Sequence, residues 1–549
     1  MPKRLDIQRG GPNPRAKSAE PAAAVTARIL AEGVDRHRRG LLDEAAALYG
    51  RVLEASPEQP DALHLLGRIE EARGDPHQAL ALIERAIAAS GQVSAFHASR
   101  GAVLLSLGRA EDAAHSLRQA LSLDPRSAEA TNVLGNAMLA LAKPEEAIEY
   151  YQRALALRLR YPEAHNNLGS TLRAMGRLEE AEAELASAIA LRPSYASALA
   201  NLGLVLQERA RYDEALEMYD RAIAADPAHA AAHGNRSMLL LLLGRLREGF
   251  VEYEWRWRMP GFATPLRAFP QPMWDGGDLG RLTLLIHAEQ GLGSAIQFVR
   301  YAASLAARGD RVVIECRQPL HRLFKFSLGR PDGRLTVFRK GESLPPFECH
   351  APLMSLPHLL GTTLPTIPAM LPYLSALPAD IAAWRERLAS APRPRIGLVW
   401  AGNRKHENDH NRSMPARLLA PLIASAGASF FSLQVPAAPA DLAALPSGRV
   451  RDLAPALGDF ADTAAVIENL DLVVSVDTAV AHLAGALGRP AWLLLPYVPE
   501  WRWLLDREDS PWYPTMRLFR QHSAGDWRGV VERVRVALAS WSAEPEPPQ

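Results

Sequence analysis

A 34-residue period governs the first half of this chain. Gly33, Gly67, Gly101, Gly135, Gly169 and Gly203 lie 34 residues apart, and Ala45, Ala79, Ala113, Ala147, Ala181 and Ala215 keep the same phase. Pro57, Pro125, Pro193 and Pro227 close four of the units. Three residue types in one register leave few folds open. Each unit is a helix pair, with a small residue where two helices come close. The glycine is expected on the first helix where a neighbour approaches it, and the alanine on the second helix where packing is closest. A lone unit cannot bury its apolar face, so the units must stack into a solenoid with a concave surface. A degenerate seventh unit begins near Ala230. Tyr253 keeps the large-residue position of Tyr49, Tyr151 and Tyr219, but Ser237 replaces the glycine, and Trp255, Arg256 and Trp257 end the pattern. This unit is expected to cap the stack and join it to the C-terminal half of the chain.

The register resembles that of tetratricopeptide repeats, whose concave face takes an extended segment or helix of another protein. Asn167, Asn201 and Asn235 share one position in three successive units. An asparagine ladder can pair with the backbone of a bound peptide, because amides both donate and accept. The same side chains can equally cap or pair within the repeats. The earlier units hold other residues at this position, such as Leu65 and Val133.

Helical periodicity stops in the Pro- and Gly-rich stretch from Pro260 to Gly280. Beyond it, apolar strands alternate with amphipathic helices. LTLLIH (Leu282 to His287), RVVIECR and LTVF form one series, and RIGLVWAG, SFFSLQV, LDLVVSVD and AWLLLP form a second. Such alternation indicates parallel sheets covered on both faces, so two α/β lobes come after the helices. The expected division is a disordered basic tail at 1–24, repeats at 25–258, a linker at 259–280, a first lobe at 281–378, a second lobe at 379–541 and a disordered tail at 542–549. The fold class is α plus α/β.

Ligands of such lobes bind at the C-terminal ends of the strands. Two stretches there carry chemistry. In the first, strand Leu282–His287 feeds a glycine turn (Gly291, Gly293) and a helix running to about Ala307. In the second, a buried strand ends at Asp477 and Thr478 and opens a helix carrying His482. Each offers unpaired amides and a helix dipole to an anion. Either could also be an ordinary helix cap, with Thr478 and His482 as packing residues. One other motif is a decoy. His406 to His410 spell H-E-x-x-H, but the zinc chemistry needs both histidines on one helix face. Here they come after a strand and a turn in a segment of poor helix formers, so they are read as a charged loop, not a metal site.

Composition bounds the partners. A net charge of +1 gives no electrostatic case for nucleic acid. Cys316 and Cys349 are too few for a disulfide framework. The first residues are basic without an apolar core, and no run reaches the roughly 18 apolar residues of a membrane span, so a cytoplasmic protein is expected.

From about Gly280 to Ala539 the chain resembles the bacterial heptosyltransferase-like glycosyltransferases of the GT-B fold. HAEQGLGSAIQFVRYAASLAARGDRVVIE is similar to their first-lobe loop and helix, and SVDTAVAHLAGALGRP to their second-lobe donor motif. Repeats joined to such a region are similar to the tetratricopeptide-containing protein glycosyltransferases, including flagellin glycosyltransferases and, more distantly, the O-linked N-acetylglucosamine transferases. The resemblance implies a two-lobed, Rossmann-like region. It implies a nucleotide-sugar co-substrate, no required cofactor or metal, inversion at the sugar, and a protein acceptor (flagellin among the candidates) selected by the repeats. It carries Asp477, Thr478 and His482 onto the donor motif, with Ala479 where glycine is common. Arg412 falls where a basic residue contacts the donor phosphate, with Ser413 and Asn403 lining the same cleft and Gly291 and Gly293 in the opposite loop. The departure is Ser294, which stands where the family has the aspartate that serves as general base. A serine of ordinary pKa cannot take a hydroxyl proton at neutral pH. Glu289 and His287 share that loop, and Glu289 is the preferred substitute, with His287 expected to end its strand half-buried. Trp501 and Trp503 lie further on in a charged loop, suited to stack on a ligand or to pack. Three functions compete: a protein glycosyltransferase acting on Ser or Thr, a scaffold whose GT-B region has lost catalysis, and a lipopolysaccharide-type sugar transferase.

Overall fold

The computed structural model describes residues 22–259, 261–262, 264–404, 408–425 and 427–541. The expected tail at 542–549, and nearly all of that at 1–24, lie outside the described residues. The chain forms two compact units, one up to Val205 and one from Leu206 onward.

In the first unit the helices pair as the period requires: Ala22–Arg38 with Leu42–Ala55, Pro60–Ala72 with Pro76–Ala89, Ser94–Ser106 with Ala110–Leu123, Ala128–Ala140 with Pro144–Leu157, and Pro162–Ala174 with Leu178–Leu191. The periodic glycine faces the second helix of its own pair. A Cβ on Gly135 would lie 2.5 Å from the Tyr151 ring, closer than any side chain tolerates. The residues that fill this place, Tyr49, Ile83, Leu117, Tyr151 and Leu185, are fully buried. A second period lies in the turns between paired helices. Gly40, Gly74, Gly108 and Gly176 take φ of +76°, +85°, +72° and +75°, and Ala142 takes +57° at the same point of the register. The left-handed conformation closes the turn, with Lys143 N–H bonded to Met138 O at 2.9 Å. Alanine adopts it at a cost of about 1 kcal/mol.

The second unit begins with helices Tyr212–Ala225, Ala230–Leu242 and Leu246–Tyr253 and a 3-10 turn, Glu254–Arg258. The departure at Ser237 is matched by a second one. Gly249 stands in the alanine register, and the Ser237 hydroxyl donates to its carbonyl oxygen at 2.9 Å. Bulk has moved from one helix to the other and the contact survives. This last helix pair packs into the α/β region, where the Phe250 ring stands edge-on to Phe298 at 6.3 Å and Trp501 at 5.6 Å.

Two parallel sheets complete the unit. The first has strands β1 (Thr283–His287), β2 (Arg311–Cys316), β3 (Leu335–Arg339) and β4 (Cys349–Pro352), in the order β3-β2-β1-β4. The second has β5 (Arg395–Val399), β6 (Ser429–Ser432), β7 (Val450–Asp452), β8 (Leu472–Val476), β9 (Ala491–Leu495) and β10 (Met516–Arg520), in the order β10-β9-β8-β5-β6-β7. This is the two-lobed, Rossmann-like arrangement that the resemblance implied. Strand order reverses beside β1 in the first sheet and between β5 and β8 in the second, and in such sheets ligands bind beyond the strand ends at these points. β4, β7 and β10 were not read from the sequence. β4 holds His350 and Pro352, β7 is three residues long, and β10 is an edge strand with alternating charge, so none shows a continuous apolar run.

Arginines tie the lobes. Arg300, buried on the first-lobe helix Leu292–Arg308, donates to the Trp512 carbonyl at 2.8 Å and to the Tyr373 hydroxyl at 3.1 Å. Arg322, partly exposed, reaches Asp380 at 2.8 Å and Asp459 at 2.8 Å. The first-lobe helix is thereby held with its N-terminus against the second lobe.

Candidate active site

Two strand–turn–helix junctions, one from each lobe, meet at Gly293 and His482. β1 passes through Gly291 into the Leu292–Arg308 helix, and β8 passes through Asp477 and Thr478 into the Ala479–Ala486 helix. Neither helix N-terminus is capped by a side chain, so both leave amides for an anion. A Cβ on Gly293 would lie 2.9 Å from the His482 ring and 3.5 Å from the Ala479 Cα, so this glycine is needed for the contact between lobes. A Cβ on Gly291 would meet nothing within 4 Å, which leaves that part of the turn open.

Asp477 is buried, with an oxygen 3.8 Å from His482 Nε2. The other ring nitrogen of His482 lies 3.0 Å from the Tyr513 hydroxyl, and the ring stacks on Trp503 at 5.3 Å. Burial, with Arg502 and Arg300 nearby, pushes the His482 pKa well below the usual histidine range, so the ring is neutral at pH 7. The Thr478 hydroxyl pairs with that of Ser475 at 3.0 Å. Gly293, Ser294, Asp477, Ala479 and His482 thus share one locus.

Sequence reasoning missed two charged residues here, Glu500 and Arg502. The Arg502 guanidinium donates to the Ser294 hydroxyl at 2.9 Å, to the Gln297 side chain, and to the Glu500 carboxylate. Glu500 also accepts the Arg502 amide at 3.0 Å. About a third of the Glu500 side chain (33%) reaches solvent. Its pKa is raised to about 7, chiefly by desolvation, with Asp477 adding to the rise and Arg502 opposing it. The signal lies in Pro499-Glu500-Trp501-Arg502, where an acid and a base flank a tryptophan. Both Trp501 and Trp503 are buried in packing rather than offered to a ligand.

Glu289 and His287 stand elsewhere. Glu289 is 4% exposed, and one of its oxygens accepts the Met354 amide at 3.1 Å and faces Arg256 at 3.4 Å. Burial raises its pKa. His287, expected to be half-buried, is 1% exposed because it sits inside the sheet against His350, 3.3 Å away. Desolvation, with Arg267 and His350 adding to it, drives its pKa down to about 3. Both line a cavity of about 360 Å³ at the ends of β1 and β2, together with Trp257, Arg267, Glu315 and Lys340.

A third cluster comes after β5, the strand beside β8. The Gly402 amide donates to the Ser413 hydroxyl at 2.9 Å, Ser413 donates to Asp409 at 2.9 Å, and Arg412 donates to Asp409 at 3.2 Å. Asn403 lies in the same loop. Asp409–Arg412 is a single helical turn rather than plain loop, while His406 and Glu407 of the H-E-x-x-H motif lie outside the described residues. Among the described residues no group of three or more His, Cys, Asp or Glu side chains is placed to hold a metal ion. No helix among them is long and apolar enough to cross a membrane.

In the repeats, Asn167 donates to Asn132 and Asn136, both at 3.2 Å, and Asn201 donates to Asn166 at 2.9 Å. These amides link successive units, while Asn235 is half-buried on its helix.

Family models of the tetratricopeptide repeat match residues 37–102, 99–158 and 160–228. That of glycosyltransferase family 9 (heptosyltransferase) matches residues 439–494, which contain β8, Asp477, Thr478 and His482. The matches thus place tetratricopeptide repeats ahead of a stretch similar to glycosyltransferase family 9. It is similar to protein FlbA of Caulobacter vibrioides, 28% identical over 331 residues, which are 55% of this chain and 54% of FlbA. The chain therefore spans about half the length of that relative. Among solved structures it is similar to the Pseudomonas aeruginosa pilF product (19% identity, 39% of this chain and 97% of that one, TM-score 0.34). It is also similar to the Cut9–Hcn1 hetero-tetramer (18% identity, 39% and 43%, TM-score 0.38). Scores this low bear on neither fold nor function.

Proposed function

We propose that this protein moves a sugar from a nucleotide-sugar donor onto a Ser or Thr hydroxyl of a protein held by its repeats. The observation that carries the reading is the meeting of two uncapped helix N-termini, one from each lobe, at Gly293 and His482. A diphosphate seated on the amides after Asp477 loses its sugar with little need of a metal, because oriented amides and a guanidinium stabilise the leaving charge. Asp477 holds a sugar hydroxyl, neutral His482 fixes the turn, and Arg412 and Ser413 approach the donor from the loop after β5. The acceptor hydroxyl enters from the first lobe, where the cavity beside Trp257 and Glu289 opens. FlbA, similar over about half its length, places no substrate on this chain. The acceptor's being a protein rests on the repeats.

The test is thermal unfolding against UDP, GDP, ADP, CMP and dTDP, then transfer from the matching labelled sugar nucleotide. One nucleotide is expected to raise the melting temperature by a few degrees, since a ligand at a hundred times its Kd adds about 2.7 kcal/mol. Asp477→Ala should lower transfer by roughly 100-fold or more, on the scale of losing one transition-state contact, while the fold survives. Label in lipid rather than protein would transfer the assignment to a lipopolysaccharide-type enzyme. A native protein that binds nucleotide without turnover would leave the scaffold reading, which Ser294 motivates.

A further inference from the structure

The reaction proposed above needs a proton acceptor, and this site lacks the obvious one. The first turn of the Leu292–Arg308 helix carries no acidic residue, and Ser294 is already hydrogen-bonded by Arg502. Glu289 lines the first-lobe cavity at the ends of β1 and β2, not the contact between Gly293 and His482, and one of its oxygens is held by Arg256 and the Met354 amide. Asp477 is buried against neutral His482. Glu500 differs from both carboxylates. It stands on the turn after β9, joined through Arg502 to Ser294, and its side chain keeps a path to solvent.

We propose that Glu500 takes the proton from the acceptor hydroxyl, held in place by Arg502 at the point where the two helix N-termini meet. This rests on the glycosyl-transfer reading of the same site. In one step the acceptor oxygen forms its bond to the anomeric carbon of the donor and its proton passes to a Glu500 oxygen. The bond from that carbon to the diphosphate breaks, and its electron pair leaves with the nucleoside diphosphate. Glu500 then releases the proton to solvent through its exposed edge. Arg502 is a positioning residue. Its guanidinium spans Glu500, Gln297 and Ser294, and so sets the carboxylate at a fixed distance from the first-lobe turn. The charged and titratable groups facing Glu500 are Arg502 on its own loop and Asp477 just before the Ala479–Ala486 helix. The Leu292–Arg308 helix presents the uncharged Ser294. Desolvation raises its affinity for a proton, with Arg502 opposing and Asp477 adding to the rise, which brings Glu500 toward neutrality, the range in which a general base works best.

The experiment measures kcat and kcat/KM against pH for full-length wild type, Glu500→Gln and Glu500→Asp, using the sugar nucleotide whose nucleotide raises the melting temperature. Wild type should lose activity as pH falls through about 7. Glu500→Gln should lower kcat by roughly 100-fold or more, keep the nucleotide-induced thermal shift, and lose that acidic limb. Glu500→Asp should keep the limb at a reduced rate, and it decides the matter if the glutamine variant does not fold. A glutamine variant within a few-fold of wild type, or an acidic limb unchanged in both variants, overturns the assignment while leaving glycosyl transfer standing. A wild type that binds nucleotide and never turns over removes both together.

Discussion

The repeat array and the α/β region treat charge in opposite ways. In the array, arginines pair with acids three residues away on the open surface, as Arg109 with Asp112 and Arg177 with Glu180. Such pairs contribute little, and stability comes from the same helix contact repeated down the stack. The α/β region buries Arg256, Arg300, Arg502, Glu289, Glu315 and Asp477. A buried charge is tolerated only when its partners are in place, and removing one strands the rest. One region is therefore a sum of similar local terms, each open to separate editing. The other is held by a few long-range polar ties, and its candidate chemistry uses those same ties.

The largest expected effect comes from cutting such a tie. Arg300→Met keeps the unbranched apolar stem but removes the guanidinium that donates to the Trp512 and Gln297 carbonyls and the Tyr373 hydroxyl. It should cost about 3–5 kcal/mol, read as a fall in the urea midpoint of the α/β transition. A loss below about 1 kcal/mol would erase the contrast between the regions, since surface pairs lose that much.

A middle-sized effect is pH-dependent. His287 is neutral when folded, with its pKa at about 3, while the unfolded chain titrates near ~6.5. Below that pH the unfolded state therefore takes up a proton that the folded state refuses. The stability is complete above about pH 6.5 and is lost progressively as pH falls toward 3. The slope approaches about 1.4 kcal/mol per pH unit. Urea titrations of wild type and His287→Gln at about pH 6.5 and about pH 5 should diverge by this slope, with wild type the more acid-sensitive. Parallel curves would mean that the imidazole charges within the fold.

The smallest effect tests the array. Ala142 holds the left-handed turn that glycine occupies in neighbouring units. Ala142→Gly should stabilise by about 0.5–1 kcal/mol, seen in the melting transition of the repeats and without change in transfer. Destabilisation would show that the turns are not interchangeable.

The stacked helices were legible because each unit's signal lies within 34 residues and recurs. The strands β1, β2, β5, β8 and β9 were legible because burial on both faces writes a continuous apolar run. β4, β7 and β10 were not, since edge position and short length dilute that run. In the site, Asp477, Thr478 and His482 were read from one local motif, and the family 9 match covers the same stretch. Glu500 and Arg502 were missed because their meaning depends on Ser294, which Arg502 meets across 208 residues of chain. The compensating pair Ser237 and Gly249 shows the same principle at short range. Each looks like a lapse in the register until the hydrogen bond between their helices is seen.

The sequence alone determined the spacing of the repeating contacts and the two-lobed parallel architecture. Both arise from local periodicity, which a linear chain records directly. Only the tertiary structure decided that Gly293 abuts His482, that Glu289 faces Arg256, and that Arg502 carries Glu500 to Ser294. Those are encounters between distant segments. Their energies depend on burial and on which charges share a space, and neither quantity exists until the lobes have packed.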